Sequence, residues 1–202
     1  MDLQLQFGQL DIYLFDQLLR GRIRAGMRVL DAGCGGGRNL VYLLREGFDV
    51  HAVDEDPQAI VYVREMAAAL APALPPEQIR LDAVERMSFP DRWFDVVISN
   101  AVLHFARDDS QFEAMLQEMW RVLKPGGMLF VRLASSIGMT EPMEHLGGRH
   151  YVLPDSTTRY VVDEARLMAM TLALNGELLD PLKTTVVQHQ RCMTTWVVGR
   201  RS

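Results

Sequence analysis

Cysteine is nearly absent from the chain: Cys34 and Cys192 are the only two in 202 residues. Two thiols so far apart give neither metal-ligand spacing nor a disulfide framework, and no metal site is expected. Positive charge is also in deficit, with 21 Lys and Arg against 26 Asp and Glu and a net charge of −5. That argues against the basic footprint of a nucleic-acid-binding surface. No apolar run is long enough to span a membrane. The N-terminus carries Asp2, Asp11 and Asp16 and lacks the basic-then-apolar pattern of a secretory leader. Repeats and low-complexity tracts are missing. These absences leave one domain over residues 1–202, expected in the cytoplasm, with no membrane or nucleic-acid partner. Its 49% hydrophobic residues suffice for a substantial core.

What is present begins at Val29-Leu30-Asp31-Ala32-Gly33-Cys34-Gly35-Gly36-Gly37-Arg38. An apolar run, Met27 to Leu30, reads as a buried strand. Four glycines follow within five positions, and then Leu40, Val41, Leu43 and Leu44 open a helix. Strand, glycine turn and helix form the first half of a βαβ unit. Glycine there permits backbone angles closed to other residues and lets a ligand approach the main chain at a helix N-terminus. The dinucleotide fingerprint Gly-x-Gly-x-x-Gly/Ala fails at its third position, which is Arg38. Cys34 fits the turn by its small size.

Further along, strand and helix alternate. Leu3, Phe7, Leu10, Leu14 and Leu18 predict one amphipathic helix over residues 3–19, which a basic linker joins to the first strand, so that 1–25 is a helix-and-linker segment. Phe48–Asp54 is a second strand, followed by an Asp56 cap and Pro57. A short strand ends at Asp82-Ala83. Phe94–Asn100 is a near-continuously apolar strand, as expected of one buried on both faces. Ser110-x-x-Glu113 reads as a capping box, and Lys124–Gly127 is a turn before a fifth strand. Residues 136–160 are rich in Gly, Pro and polar groups and predict an irregular insert, a mobile cover over a site. Asp163 caps a last helix, and Leu182–His189 with Cys192–Val198 form an antiparallel hairpin. The fold class is α/β, a mainly parallel sheet with helices on both faces.

With these residues laid out, the chain resembles the class I S-adenosylmethionine (AdoMet)-dependent methyltransferases. Asp-Ala-Gly-Cys-Gly-Gly-Gly is similar to the family's first motif, Asp/Glu-x-Gly-x-Gly-x-Gly. The resemblance implies a Rossmann-like, seven-stranded sheet whose last strand is antiparallel. It implies AdoMet as cofactor, bound at Asp31, Gly33, Cys34 and Gly35, with Asp54 on the ribose hydroxyls and Asp82-Ala83 at the adenine. Asn100 and His104 match the segment beside the transferred methyl, and His104 is a candidate base or acceptor contact. The tail has a distant look of the tellurite-resistance methyltransferases, but the loop differs and the substrate is not carried over. Tyr13 and Phe15 are candidates to cover the cofactor, and His145, His150, Tyr151 and Arg159 to line an acceptor site. The expected activity is methyl transfer to a small-molecule acceptor by a monomer or homodimer. Two alternatives stay open: an NAD(P)-dependent oxidoreductase, against which Arg38 argues, and a non-catalytic AdoMet-binding protein.

Overall fold

The computed structural model describes residues 2–202. Two short helices, α1 (Leu3–Phe7) and α2 (Ile12–Leu19), precede β1 (Arg28–Ala32), α3 (Leu40–Arg45), β2 (Asp49–Asp54), α4 (Pro57–Leu70) and β3 (Ile79–Leu81). Then come β4 (Phe94–Asn100), a 3₁₀ turn at Leu103–Phe105, α5 (Asp109–Val122) and β5 (Leu123–Ala134). Strands β6 (Glu144–Gly147), β7 (His150–Val152) and β8 (Thr158–Tyr160) lead to α6 (Glu164–Ala173). The chain ends in β9 (Gly176–Leu178), β10 (Lys183–Val187) and β11 (Arg191–Arg200).

The main sheet has the order β10-β11-β5-β4-β1-β2-β3, with β9 paired to the far end of β11 beyond β10. It therefore holds eight strands but is seven positions wide; the eighth is a three-residue piece sharing an edge with β10. The pairs among β1 to β5 are parallel, and β11 is antiparallel to both neighbours. Along the central strands successive side chains enter opposite cores. Leu30, Val97 and Leu129 join Trp196 on the face covered by α5 and α6, while Val29, Val96, Ile98 and Phe130 join Leu14, Leu40 and Ile60 on the face covered by α2 to α4. Burial on both faces is why these strands read as apolar runs rather than alternating ones. The chain runs from β1 outward to β3, then returns to β4 on the other side of β1. That reversal opens a crevice at the carboxyl ends of β1 and β4, the place where open α/β sheets bind ligands.

Four local expectations are corrected. The N-terminal helix is two helices, because Gly8 takes φ +60° and Asp11 starts a new one by accepting from the N–H groups of Tyr13 and Leu14. The cap of α5 is Asp108, which accepts from Gln111 N, while Gln111 returns a bond to Arg107 N; the box lies two residues earlier than Ser110-x-x-Glu113. The basic linker is not merely solvated: Arg22 reaches Asp180 at 2.8 Å and the Leu179 carbonyl. Residues 136–160 are not irregular throughout, since from Glu144 onward β6, β7 and β8 form a three-stranded antiparallel meander. Its first turn uses Gly147 and Gly148, both at positive φ, and its second is closed by Leu153 and Thr157. The glycines and the proline therefore punctuate strands here rather than preventing them.

Candidate active site

The glycine loop leaves β1 and turns back against β2. The N–H groups of Gly33 and Cys34 both donate to the Val53 carbonyl at 2.9 Å. Gly33, Gly35 and Gly37 all have positive φ, and two of them are also sterically required. A Cβ on Gly33 would stand 2.6 Å from Val102 Cγ2, and one on Gly37 would meet Val63 of α4 at 3.0 Å. Close helix packing thus falls to Gly37, one residue before the Arg38 position of the dinucleotide pattern. Gly35 differs, because a Cβ there would meet nothing within 4 Å. Its face is open, and its N–H donates to Asp54 Oδ2 at 2.7 Å. Asp54 Oδ1 accepts from Asp56 N, while Asp56 caps α4 through Gln58 N. The two acids divide the work as expected, with Asp54 facing the loop and Asp56 capping.

Three cavities meet along this edge. The first, about 300 Å³, lies between Gly35, Asp54, Val84, Val102 and Met115. The second, about 510 Å³, continues past Gly33 and Gly35 to Cys34, Arg38, Tyr62 and Asn100. The third, about 310 Å³, is bounded by Arg38, His104, Phe105, Arg132, Arg159 and Arg191 among others. Ala101 lines all three. It follows β4 with φ +65°, and its N–H is held by the Arg132 carbonyl at 2.8 Å. A non-glycine residue in the left-handed region is uncommon and clusters at functional sites.

Two buried polar groups near the glycine loop lack partners: Asn100, which lines the second cavity, and Asp31, which lines none of the three. Asp31 is 1% exposed, and neither carboxylate oxygen has a hydrogen-bond partner. Burial pushes its pKa up to about 7, Arg38 pulls it back and Asp54 adds to the rise. The loop N–H groups of Gly33 and Cys34 do not satisfy it, since both bond the Val53 carbonyl. Asn100 Oδ1 accepts from Arg38 Nη2 at 2.8 Å, and its buried Nδ2 has no acceptor. A buried polar group left unpaired is costly, so each marks a position that a ligand can satisfy. Burial also raises the Cys34 thiol, with Asp31 and Asp54 adding to it, which keeps the sulfur protonated and inert.

His104 sits in the 3₁₀ turn after β4, 5% exposed, with Nδ1 accepting from Ala134 N at 3.2 Å. The ring proton is therefore on Nε2. Burial, with the Arg159 and Arg191 charges adding to it, lowers its pKa to about 4. With one nitrogen occupied and the other protonated, His104 is a hydrogen-bond donor, which corrects its reading as a base. Asp82 and Ala83 are also relocated. The Asp82 carboxylate accepts from Ser88 N and Oγ, Ala83 bridges Arg86, and neither lines the first cavity. The wall there is made by the next two residues, Val84 and Glu85. Tyr13 and Phe15 line none of the three cavities; Tyr13 instead bonds Thr185 and lies under Arg132. Of the four candidates near the insert, Arg159 alone reaches the third cavity, whereas His150 anchors to the Ala106 carbonyl. Arg132 was missed, although a lone arginine inside the apolar run Met128–Leu133 was the visible signal. Among the described residues no cluster of His, Cys, Asp or Glu could hold a metal, and no helix is long and apolar enough to cross a membrane.

A family described as a methyltransferase domain matches residues 29–127, the stretch from β1 into β5. Residues 29–127 belong to that methyltransferase-domain family, and the fold around them is that of the class I AdoMet-dependent methyltransferases. The chain is 40% identical over 101 residues to the uncharacterized methyltransferase YodH of Bacillus subtilis, over 50% of its own length and 40% of that relative. The match thus spans about two fifths of that relative. A SAM-dependent methyltransferase from Methanosarcina mazei superposes with a TM-score of 0.72 at 18% identity, covering 91% of this chain and 97% of that one. The 1,6-didemethyltoxoflavin-N1-methyltransferase of Burkholderia thailandensis, solved with S-adenosylhomocysteine, gives 0.70 at 19% identity over 100% and 82%. At such identities these two likenesses establish the fold.

AdoMet is the cofactor of these methyltransferases, and the residues of this chain fit it. The open face of Gly35 admits a ligand against the backbone, the Asp54 carboxylate stands beside it, and Asp31 and Asn100 offer an unpaired acceptor and donor.

Proposed function

We propose that the protein transfers a methyl group from AdoMet to a small-molecule acceptor, as a single domain. One observation carries this reading: the cleft of the glycine loop and a separate side pocket meet at Ala101. A donor in the first can therefore face an acceptor in the second. The volumes suit small molecules, since ligand pockets run from roughly 300 to 1,000 Å³.

In this reading Asp54 receives the two ribose hydroxyls with its remaining lone pairs and keeps Gly35 N–H in place. Val84 and Met115 flank the adenine, as apolar side chains on either side of the first cavity. Asp31 accepts from the ammonium group of the amino-acid end, and Asn100 Nδ2, with Arg38 beside it, donates to the carboxylate. The bound sulfonium supplies an already activated methyl and a neutral leaving group, so the chain's task is alignment. Alignment of that kind is worth roughly 7–11 kcal/mol. The monomer or homodimer expected from the sequence carries over to this reading, as do a cytoplasmic setting and an acceptor other than nucleic acid.

Calorimetry with AdoMet, S-adenosylhomocysteine and NADH tests the reading. AdoMet and its product are expected to bind, and NADH to give no heat. Tight NADH binding without AdoMet binding would return the chain to the oxidoreductase alternative. Binding of AdoMet with no labelled methyl transferred to any acceptor class would favour the non-catalytic one.

A further inference from the structure

The third cavity carries a charge at odds with the rest of the molecule. The chain has a net charge of −5, yet four arginines, 38, 132, 159 and 191, line this pocket against one carboxylate, Asp155. Two of the four are answered. Arg132 pairs with Asp11 at 2.7 Å, and Arg191 comes within 3.5 Å of Asp155. Asp155 itself is held by the N–H and hydroxyl of Thr157. Among the described residues, Arg38 and Arg159 have no carboxylate partner. Arg38 is steadied by Asn100, while Arg159 lies over the Phe105 ring and donates to the Thr158 carbonyl. The excess positive charge is felt inside the pocket, for it adds to the burial that depresses the protonation of His104. Clefts with one sign of charge and low-dielectric walls concentrate ligands of the other sign.

The pocket also lacks a base. His104 accepts at Nδ1 and carries its proton on Nε2. Asp155 is engaged by Thr157, whose hydroxyl and N–H hold its pKa below the usual carboxylate range against the effect of burial, with Arg191 and Arg159 adding to the lowering. An ammonium group entering here would be repelled by the guanidiniums. An alcohol or phenol would arrive protonated, with nothing to take its proton. A carboxylic acid meets neither obstacle, because it is ionised at neutral pH and already presents a lone pair. Guanidinium is also the group whose planar fork matches a carboxylate.

We propose that the acceptor is a small carboxylate, bound by Arg159 and Arg191 with His104 Nε2–H as a further donor, and methylated on a carboxylate oxygen. This rests on the methyltransferase reading above. The oxygen forms the new O–C bond with its own lone pair. The S–C bond breaks with its pair left on sulfur. One negative and one positive charge vanish together, so a neutral methyl ester and a neutral thioether result and no proton moves. The roof contributed by β8 and the turn before it, through Leu153, Thr157 and Arg159, closes the pocket on a molecule of limited size, since the space is about 310 Å³.

The test is calorimetry on the full chain saturated with S-adenosylhomocysteine. Hexanoate, benzoate and glutarate are titrated beside hexanamide, benzamide, glutaramide and methyl phosphate. At least one acid is expected to bind tenfold or more tightly than its amide. The Arg159→Gln/Arg191→Gln double variant should lose that preference, with its own S-adenosylhomocysteine binding reporting that it is folded. The lysine pair, Arg159→Lys/Arg191→Lys, should retain part of it. With methyl-labelled AdoMet, the preferred acid should yield label that alkali releases as methanol. Amides binding as tightly as acids, tighter binding of methyl phosphate, a preference surviving in the glutamine variant, or alkali-stable label would each overturn the proposal. If the wild type fails to bind AdoMet at all, it is the methyltransferase reading that falls instead.

Discussion

Two carboxylates at the ends of neighbouring strands do opposite things. Asp54 has backbone donors on both oxygens and room for two more bonds; Asp31 has none. Replacing Asp54 with alanine removes two charge-assisted bonds to the ribose, each worth about 1.5–3 kcal/mol. The dissociation constant for AdoMet should rise about 100-fold or more while the melting temperature changes little, and calorimetry on the Asp54→Ala variant checks this. Unchanged affinity would make Asp54 a loop anchor only. Asp31 predicts a pH effect. Its folded pKa, about 7, lies above the ordinary carboxylate value of 3.8, so the stability it contributes is fully present below pH 4 and is lost as pH rises to 7. At pH 8 without ligand, Asp31→Asn should therefore unfold at higher denaturant than wild type. The same substitution should weaken AdoMet binding and abolish its rise in affinity between pH 5 and 7, where the wild-type carboxylate ionises. A variant with wild-type affinity and pH profile would show that no ligand ammonium sits at Asp31.

The elements show what a sequence pattern can and cannot carry. β1, β2, β4 and the later part of β5 were legible, because burial on both faces forces an apolar run and the helices between them have their own period; the expected turn at Lys124–Gly127 is instead an irregular first part of β5, which begins at Leu123. Asp56 before Pro57 and Asp163 before its helix were legible caps because their side chains act within three residues. The break after Gly8 was not, since a single apolar stripe runs through both α1 and α2 and the cause lies in contact with Val41 of α3. The meander of 144–160 was invisible for a related reason: its strands are three or four residues long, too short for a period, and its anchors are distant. Tyr160 stacks on Phe112 at 4.8 Å and donates to Asp109, and Arg149 reaches Asp163. The acceptor pocket was hidden in the same way, because Arg38, Arg132, Arg159 and Arg191 share no local pattern. The anchoring turns the mobile cover expected from composition into a pinned roof. Hydrogen exchange at β7 and β8 should be slow even without ligand. Replacing Glu144–Tyr160 by a short glycine linker should abolish methyl transfer and leave AdoMet affinity within about threefold; a truncated protein with full turnover would remove the roof from the site.

At the scale of the whole molecule, the two cores hold a sheet whose edge does the chemistry. Trp196 is fully buried and donates to Thr171 Oγ1 at 3.0 Å. Trp196→Ala should cost about 3–5 kcal/mol in denaturant unfolding, as large aromatic truncations do; a loss under 1 kcal/mol would show that the helical face carries little of the stability. Acid sensitivity follows from two buried histidines. Burial holds both His51 and His104 near pKa 4, below the ordinary 6.5, so the unfolded chain takes up protons that the folded one refuses, and stability falls as pH drops from 6.5 towards 4. Asp31 works against that loss over much of the same range, so Asp31→Asn should steepen it, as paired denaturation curves at pH 6.5 and 4.5 would reveal. The walls of the three cavities also come from different stretches of chain. The cleft of the glycine loop is built from residues 9–115, and most of the third pocket from residues 132–193. The cleft and the third pocket share only the walls made by Arg38, Ala101 and Phe105. Such a division makes the molecule a chimera-ready tool. Exchanging the meander and the terminal hairpin for those of another enzyme of this fold would transplant the choice of acceptor and leave the donor machinery as it was.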